Sequence, residues 1–131
     1  MTKKPSRSTR RLKNWAVAEP SERDIQAAVL EHWKAAGTPG SLVAAVPNAG
    51  ALGQAGLTAG LFDLVVMSRW LGDKTGWLEL KRESRRNQKN GGLSDAQSDF
   101  MWIIDMLNIP HAVAYGRDEP IEVLRRWGAI R

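Results

Sequence analysis

The sequence predicts an α/β domain whose elements run helix, three strands, helix, strand, helix. Two observations carry this. Segments with an apolar period near 3.6 residues open at capping residues, and short apolar runs of strand length lie between turns marked by glycine and proline. A chain of 131 residues with 43% hydrophobic content suits one core.

The first helix is predicted over about 22–36. Ser21 stands at its cap with Asp24 three residues on, Ile25, Val29, Trp33 and Ala36 share one sector, and Gly37 with Pro39 ends it. Glu22 and Gln26 fall in that same sector, where an unpaired charge is costly, so both need partners. Residues 41–47 read as a strand and 48–56 as a glycine-containing loop. That loop has neither a Walker A nor a dinucleotide pattern, so no nucleotide cofactor is expected.

Residues 61–67 and 77–81 are apolar runs around the turn segment 69–76, a candidate antiparallel hairpin. A turn centred near Gly72 sets Asp63 opposite Lys81 and diagonal to Glu79, on one face. Phe62, Leu64, Val66, Leu78 and Leu80 then fill the other face. Both faces are largely apolar, which implies a sheet covered on both sides. Arg82 to Gly92 reads as a mobile basic loop. Ser94 and Gln97 form a capping box for a second helix that runs to Asn108, residues 111–115 read as a strand, and Glu119-Pro120 opens a last helix ended by Gly128.

The composition excludes several chemistries. There is no cysteine, which removes disulfides, thiol catalysis and cysteine-based metal sites, and His32 and His111 are too few for most histidine sites. Any metal is expected to be oxygen-bound. No apolar run reaches the roughly 20 residues of a membrane span, and the N-terminus lacks the apolar segment of a secretory signal, so a cytoplasmic protein is expected. The net charge is +5, but residues 1–14 alone hold Lys3, Lys4, Arg7, Arg10, Arg11 and Lys13 with no acid. Residues 15–131 therefore sum to −1 and form the predicted domain, while 1–14 form a flexible basic tail able to bind DNA by counterion release.

Asp63, Glu79 and Lys81 carry the chemistry. Two carboxylates a few ångströms apart repel unless a cation sits between them. A hard divalent ion meets that need with one or two carboxylates, carbonyls, waters and a phosphate oxygen, and a neighbouring lysine stabilises charge at the phosphoryl centre. Phosphodiester hydrolysis follows as the expected reaction. A structural ion-pair network is the competing explanation, but it would have to desolvate Asp63, Glu79, Lys81 and Glu22 together, often at a net cost.

These residues resemble the PD-(D/E)XK nuclease superfamily and, within it, the VRR-NUC domain. The similarity extends over most of residues 20–116: Ser21-Glu22 with Gln26, Asn48-Ala49-Gly50, Gly60-Leu61-Phe62-Asp63-Leu64, Glu79-Leu80-Lys81 and Leu93-Ser94-Asp95-Ala96-Gln97. It implies a restriction-endonuclease-like core, a mixed sheet of about four strands flanked by helices. It also implies Mg²⁺ or Mn²⁺ held by Asp63, Glu79 and the Leu80 carbonyl, a catalytic Lys81, Glu22 near the metal and Gln97 in support. Phe62 stands where the superfamily motif has proline.

Small stand-alone relatives of this kind look like homodimeric nucleases that resolve four-way (Holliday) junctions. Branched DNA and a second copy of the chain are therefore the expected partners, with the Trp102 and Trp127 helices as candidate dimer surfaces. A repair or restriction-like nuclease acting on flap, duplex or single-stranded DNA is the alternative, and a non-catalytic nucleic-acid scaffold a further one. Asn48, Gln26, Arg82, Arg85, Arg86 and Lys89 are the expected DNA contacts. Each has a plainer role: Asn48 in a turn after Pro47, Gln26 bonded to Glu22, the four cations in a solvated loop, and Gln97 only in its capping box.

Overall fold

The computed structural model describes residues 19–47 and 58–131. The first helix, α1, spans Glu22–Ala36; strands β1 (Leu42–Ala45), β2 (Leu64–Met67) and β3 (Gly76–Lys81) follow. Helix α2 (Asp95–Met106), strand β4 (His111–Tyr115) and helix α3 (Asp118–Arg126) complete the order. The predicted succession of elements is found. The basic tail 1–14 and the glycine loop with Asn48 lie outside the described residues.

Local chemistry sets the boundaries. The Ser21 side chain accepts from the Asp24 backbone N–H at 3.1 Å and opens α1, and Ser94 with Gln97 forms the reciprocal capping box of α2. The sheet order is β1-β2-β3-β4, antiparallel across the first two pairs and parallel between β3 and β4. A parallel pair needs a crossover, and α2 supplies it. This is the expected mixed four-stranded sheet.

Helices α1 and α3 cover one face, packing Ile25, Val29, Val123 and Leu124 on Leu64, Val66, Leu78 and Leu80. Helix α2 covers part of the other, where Ile104 and Phe100 pack with Phe62, Trp77 and Val113. Covering on both faces leaves β3 buried at nearly every position, the charged Glu79 and Lys81 included.

The hairpin departs from the expected register. Leu64 pairs with Leu78, so the turn is centred at residue 71 and Asp63 comes level with Glu79 instead of Lys81. Moving the centre by one residue moves each partner by two, which preserves the face, so the three ionisable groups stay together. Phe62 is also displaced from its expected face. It lies before β2 begins, where Gly60 at φ +90° and a bend at Asp63 interrupt the alternation, and its ring meets Phe100 edge-on at 5.3 Å in the α2 layer.

Candidate active site

Glu79 and Lys81 project from the C-terminal end of β3 toward α2 and are only 2% and 4% exposed. Asp63 enters from the start of β2. Its Oδ2 accepts from the Leu80 backbone N–H at 2.8 Å, while the Asp63 N–H donates to Glu79 Oε1 at 3.2 Å. These two bonds cross-link the strands just where the ladder has ended, and they hold the carboxylates side by side.

Gln97, on the first turn of α2, completes the cluster. Its Nε2 donates to Glu79 Oε2 at 2.8 Å, and its Oε1 accepts from Lys81 Nζ and from the Ser94 backbone N–H, each at 3.0 Å. Lys81 Nζ also lies 3.3 Å from Glu79 Oε2. Gln97 therefore closes its capping box and grips both β3 side chains with one amide. The capping and site roles, alternatives in the sequence, coexist here.

The electrostatics follow from burial. Desolvation and the neighbouring Asp63 charge push the Glu79 carboxyl up to about 8, against the opposing pull of Lys81. Asp63 is raised too, chiefly by burial, with Lys81 and the Leu80 N–H working the other way. Two adjacent carboxylates that resist simultaneous ionisation are what a divalent cation relieves.

The donor set fits such an ion. Among the described residues no three Asp, Glu, His or Cys side chains stand together as a metal cage, and a bound ion would draw on two carboxylates and a main-chain oxygen. The N–H and C=O of a residue in an extended strand leave the same edge. The Leu80 N–H is bonded to Asp63, so its carbonyl faces the same gap. Two carboxylates and a carbonyl, completed by water and phosphate, suit Mg²⁺ or Mn²⁺.

Two clefts meet at this cluster, with Ser94 and Gln97 in the wall common to both. One, about 320 Å³, is lined by Val46, Thr58, Gly60 and Asp63; the other, about 310 Å³, by Lys81, Arg85, Gln88 and Lys89. Asp63 thus lines one cleft, while Lys81 and the basic segment line the other.

The Glu22 charge acts on Asp63 and helps to raise its carboxyl, whereas the basic segment sits differently from the expectation. Glu22 Oε2 lies 3.4 Å from the Arg82 backbone N–H and 3.6 Å from Arg85 Nε, so its partner is the segment after β3. Gln26 is partly buried and makes no hydrogen bond to Glu22. The segment 82–92 is not the free basic loop expected: it forms two 3₁₀ turns, Glu83–Arg85 and Lys89–Gly92, tied down by acids distant in sequence. Arg82 pairs with Glu19 at 3.9 Å, and Arg86 bridges Glu83 and Glu119 while its guanidinium lies 4.7 Å from the Tyr115 ring centroid. Tyr115 donates to the Gly91 carbonyl at 2.7 Å, which locks the second turn. Arg85 and Lys89 are left lining the cationic cleft.

Sequence reading missed Glu19 and Glu119, which anchor this segment across 65 and 33 residues. No local pattern signals such a pairing.

A solved structure named VRR_NUC domain protein matches this architecture with a TM-score of 0.63, covering 83% of this chain and 88% of that one at 20% identity. The fold is that of the VRR-NUC domain. No family model and no curated protein matches the chain. Within the VRR-NUC fold, Asp63, Glu79 and Lys81 sit on the hairpin β2–β3, and α2 brings Gln97 onto them.

Proposed function

We propose that the protein is an Mg²⁺-dependent DNA endonuclease that hydrolyses phosphodiester bonds in branched DNA, with the four-way junction as its substrate and a homodimer as its working form. The buried cluster of Asp63, Glu79 and Lys81, joined by Gln97 and open to two clefts, carries this reading. Asp63, Glu79 and the Leu80 carbonyl would hold the ion, which when bound supplies Lewis acidity toward a phosphoryl oxygen and lowers the pKa of water beside it.

The protein's own groups do the rest. Lys81, held at 3.0 Å by Gln97, places its ammonium where negative charge grows on the phosphoryl centre. Arg85 and Lys89 in the adjoining cleft bind flanking phosphates and set the strand's register. A dimer is supported by the outer flank of α2, where Trp102, Ile103, Met106 and Leu107 are all exposed. A two-fold dimer presents two identical sites to the two strands a junction offers for cutting.

The test is Mg²⁺-dependent cleavage of end-labelled four-way junction, flap, linear duplex and single-stranded DNA, with Lys81→Ala as control. Paired symmetric cuts in the junction are the expected result. Preference for another substrate would keep the chemistry and favour a repair or restriction-like role. Absence of cutting with Mg²⁺ and Mn²⁺ would overturn the enzyme in favour of a binding scaffold.

A further inference from the structure

At the end of the sheet opposite the carboxylates lies a cleft of about 590 Å³, lined among others by Thr38, Arg69, Trp70, Arg125, Gly128 and Arg131. Its size falls within the roughly 300–1,000 Å³ of small-ligand sites. Strand β2, about 13 Å long, separates it from Asp63. It therefore belongs to neither cleft of the candidate active site.

The cleft is built rather than incidental. Trp70 is 75% exposed, yet the turn that carries it is fastened at several points. Ser68 donates to the Trp127 carbonyl and accepts from the Leu71 N–H, and the Gly72 N–H returns to the Arg69 carbonyl at 3.1 Å. The indole packs so tightly on Gly128 that a Cβ there would lie 2.6 Å from Trp70 Cγ. Thr38 fixes the opposite wall by donating to the Gly128 carbonyl at 2.7 Å.

Two of the three guanidiniums are free of acids. Arg125 is engaged by Glu122 at 2.6 Å and by the Arg131 main-chain oxygen at 3.3 Å, but among the described residues Arg69 and the Arg131 guanidinium have no acidic side-chain partner. A positioned indole beside two guanidiniums without acidic partners matches a nucleotide, whose base stacks on an aromatic face and whose phosphate takes the planar guanidinium fork. An acidic peptide would satisfy the arginines but leave the indole without a planar partner.

We propose that this cleft is a second nucleic-acid site, which takes an unpaired nucleotide with its base on Trp70 and its flanking phosphates on Arg69 and Arg131. It rests on the reading above that the protein binds DNA, and adds a place for an unpaired stretch of strand next to the branched duplex. Because its test reads binding without catalysis, a protein that binds here but does not cut would overturn the nuclease reading and leave this one standing.

The test is fluorescence anisotropy of a labelled ten-nucleotide oligo-dT with the full chain in EDTA. Trp70→Ala should weaken binding by about tenfold, the scale of a single base stack, with Trp70→Phe intermediate. The double variant Arg69→Ala/Arg131→Ala should lower the slope of log affinity against log salt by about 0.7 for each phosphate no longer neutralised. Photo-cross-linking of a bromodeoxyuridine oligonucleotide should mark Trp70, which a merely destabilised variant cannot mimic. Unchanged affinity and slope in these variants, or binding of an acidic peptide here in place of the oligonucleotide, would overturn the proposal.

Discussion

Gln97 shows how much one side chain can decide. Its amide makes three hydrogen bonds, to Glu79, Lys81 and the Ser94 backbone, so it couples the start of α2 to the buried ionisable pair on β3. Gln97→Ala should lower cleavage and also cost about 1–2 kcal/mol of stability, measured by denaturant unfolding, because a buried ammonium and a cap lose their partner. Asp63→Asn and Lys81→Ala should keep the fold by circular dichroism and reduce cleavage by at least about 10²–10³-fold while DNA binding persists. Full activity in either variant would remove these residues from the chemistry.

Glu79 adds a pH signature. Its carboxyl is raised from 4.5 to about 8 in the folded chain, so across that window the native state holds a proton that the unfolded chain has released. Stability is then highest below the unfolded value and falls as pH rises through the window. Thermal melts in EDTA should show this fall, and Glu79→Gln should flatten it. Mg²⁺ or Mn²⁺ should stabilise the wild type more at pH 8 than at pH 5, since ligation needs the ionised carboxylates. Equal increments at the two pH values would argue against these ligands.

Among the elements, the hairpin and α2 meet at one tight approach. Gly60 has φ +90°, and a Cβ there would lie 2.4 Å from the Ala96 carbonyl oxygen, in the turn that carries Gln97. Gly60→Ala should destabilise the fold by about 1–3 kcal/mol and lower cleavage by displacing α2. Unchanged melting and activity would show that the turn yields freely. The caps, the helical faces and the strand succession were legible because they depend on neighbours three or four residues apart. The hairpin register was read two residues off, since it follows from the conformation of an eight-residue connection, 68–75, that pattern alone does not specify.

Over the whole molecule, the uneven covering of the sheet sets what remains for partners. The exposed Trp102, with Met106 and Ile103, leaves one flank of α2 apolar, whereas Trp127 packs into the main core and touches Gly76. Of the two helices considered from sequence, α2 is therefore the better candidate for the proposed dimer surface. Trp102→Glu combined with Met106→Glu should yield a monomer by sedimentation with little loss of thermal stability, and an unaltered mass would place any interface elsewhere. Deleting residues 1–14, which hold six cations, should weaken DNA binding and flatten its salt dependence by about 0.9 for each duplex phosphate the tail had neutralised. An unchanged slope would make the tail a bystander.

By itself the sequence determined the order of elements, the caps of α1 and α2, and the gathering of Asp63, Glu79 and Lys81 on one hairpin face. Period, capping chemistry and strand alternation are local, so residue spacing carries them. Only the tertiary structure decided that Asp63 stands level with Glu79, that Phe62 joins the α2 layer, that Glu19, Glu22 and Glu119 tie down the basic segment, and that Trp70 meets Arg69 and Arg131 in one cleft. Those arrangements join residues tens of positions apart, and their geometry follows from how the layers pack, which no window of sequence contains.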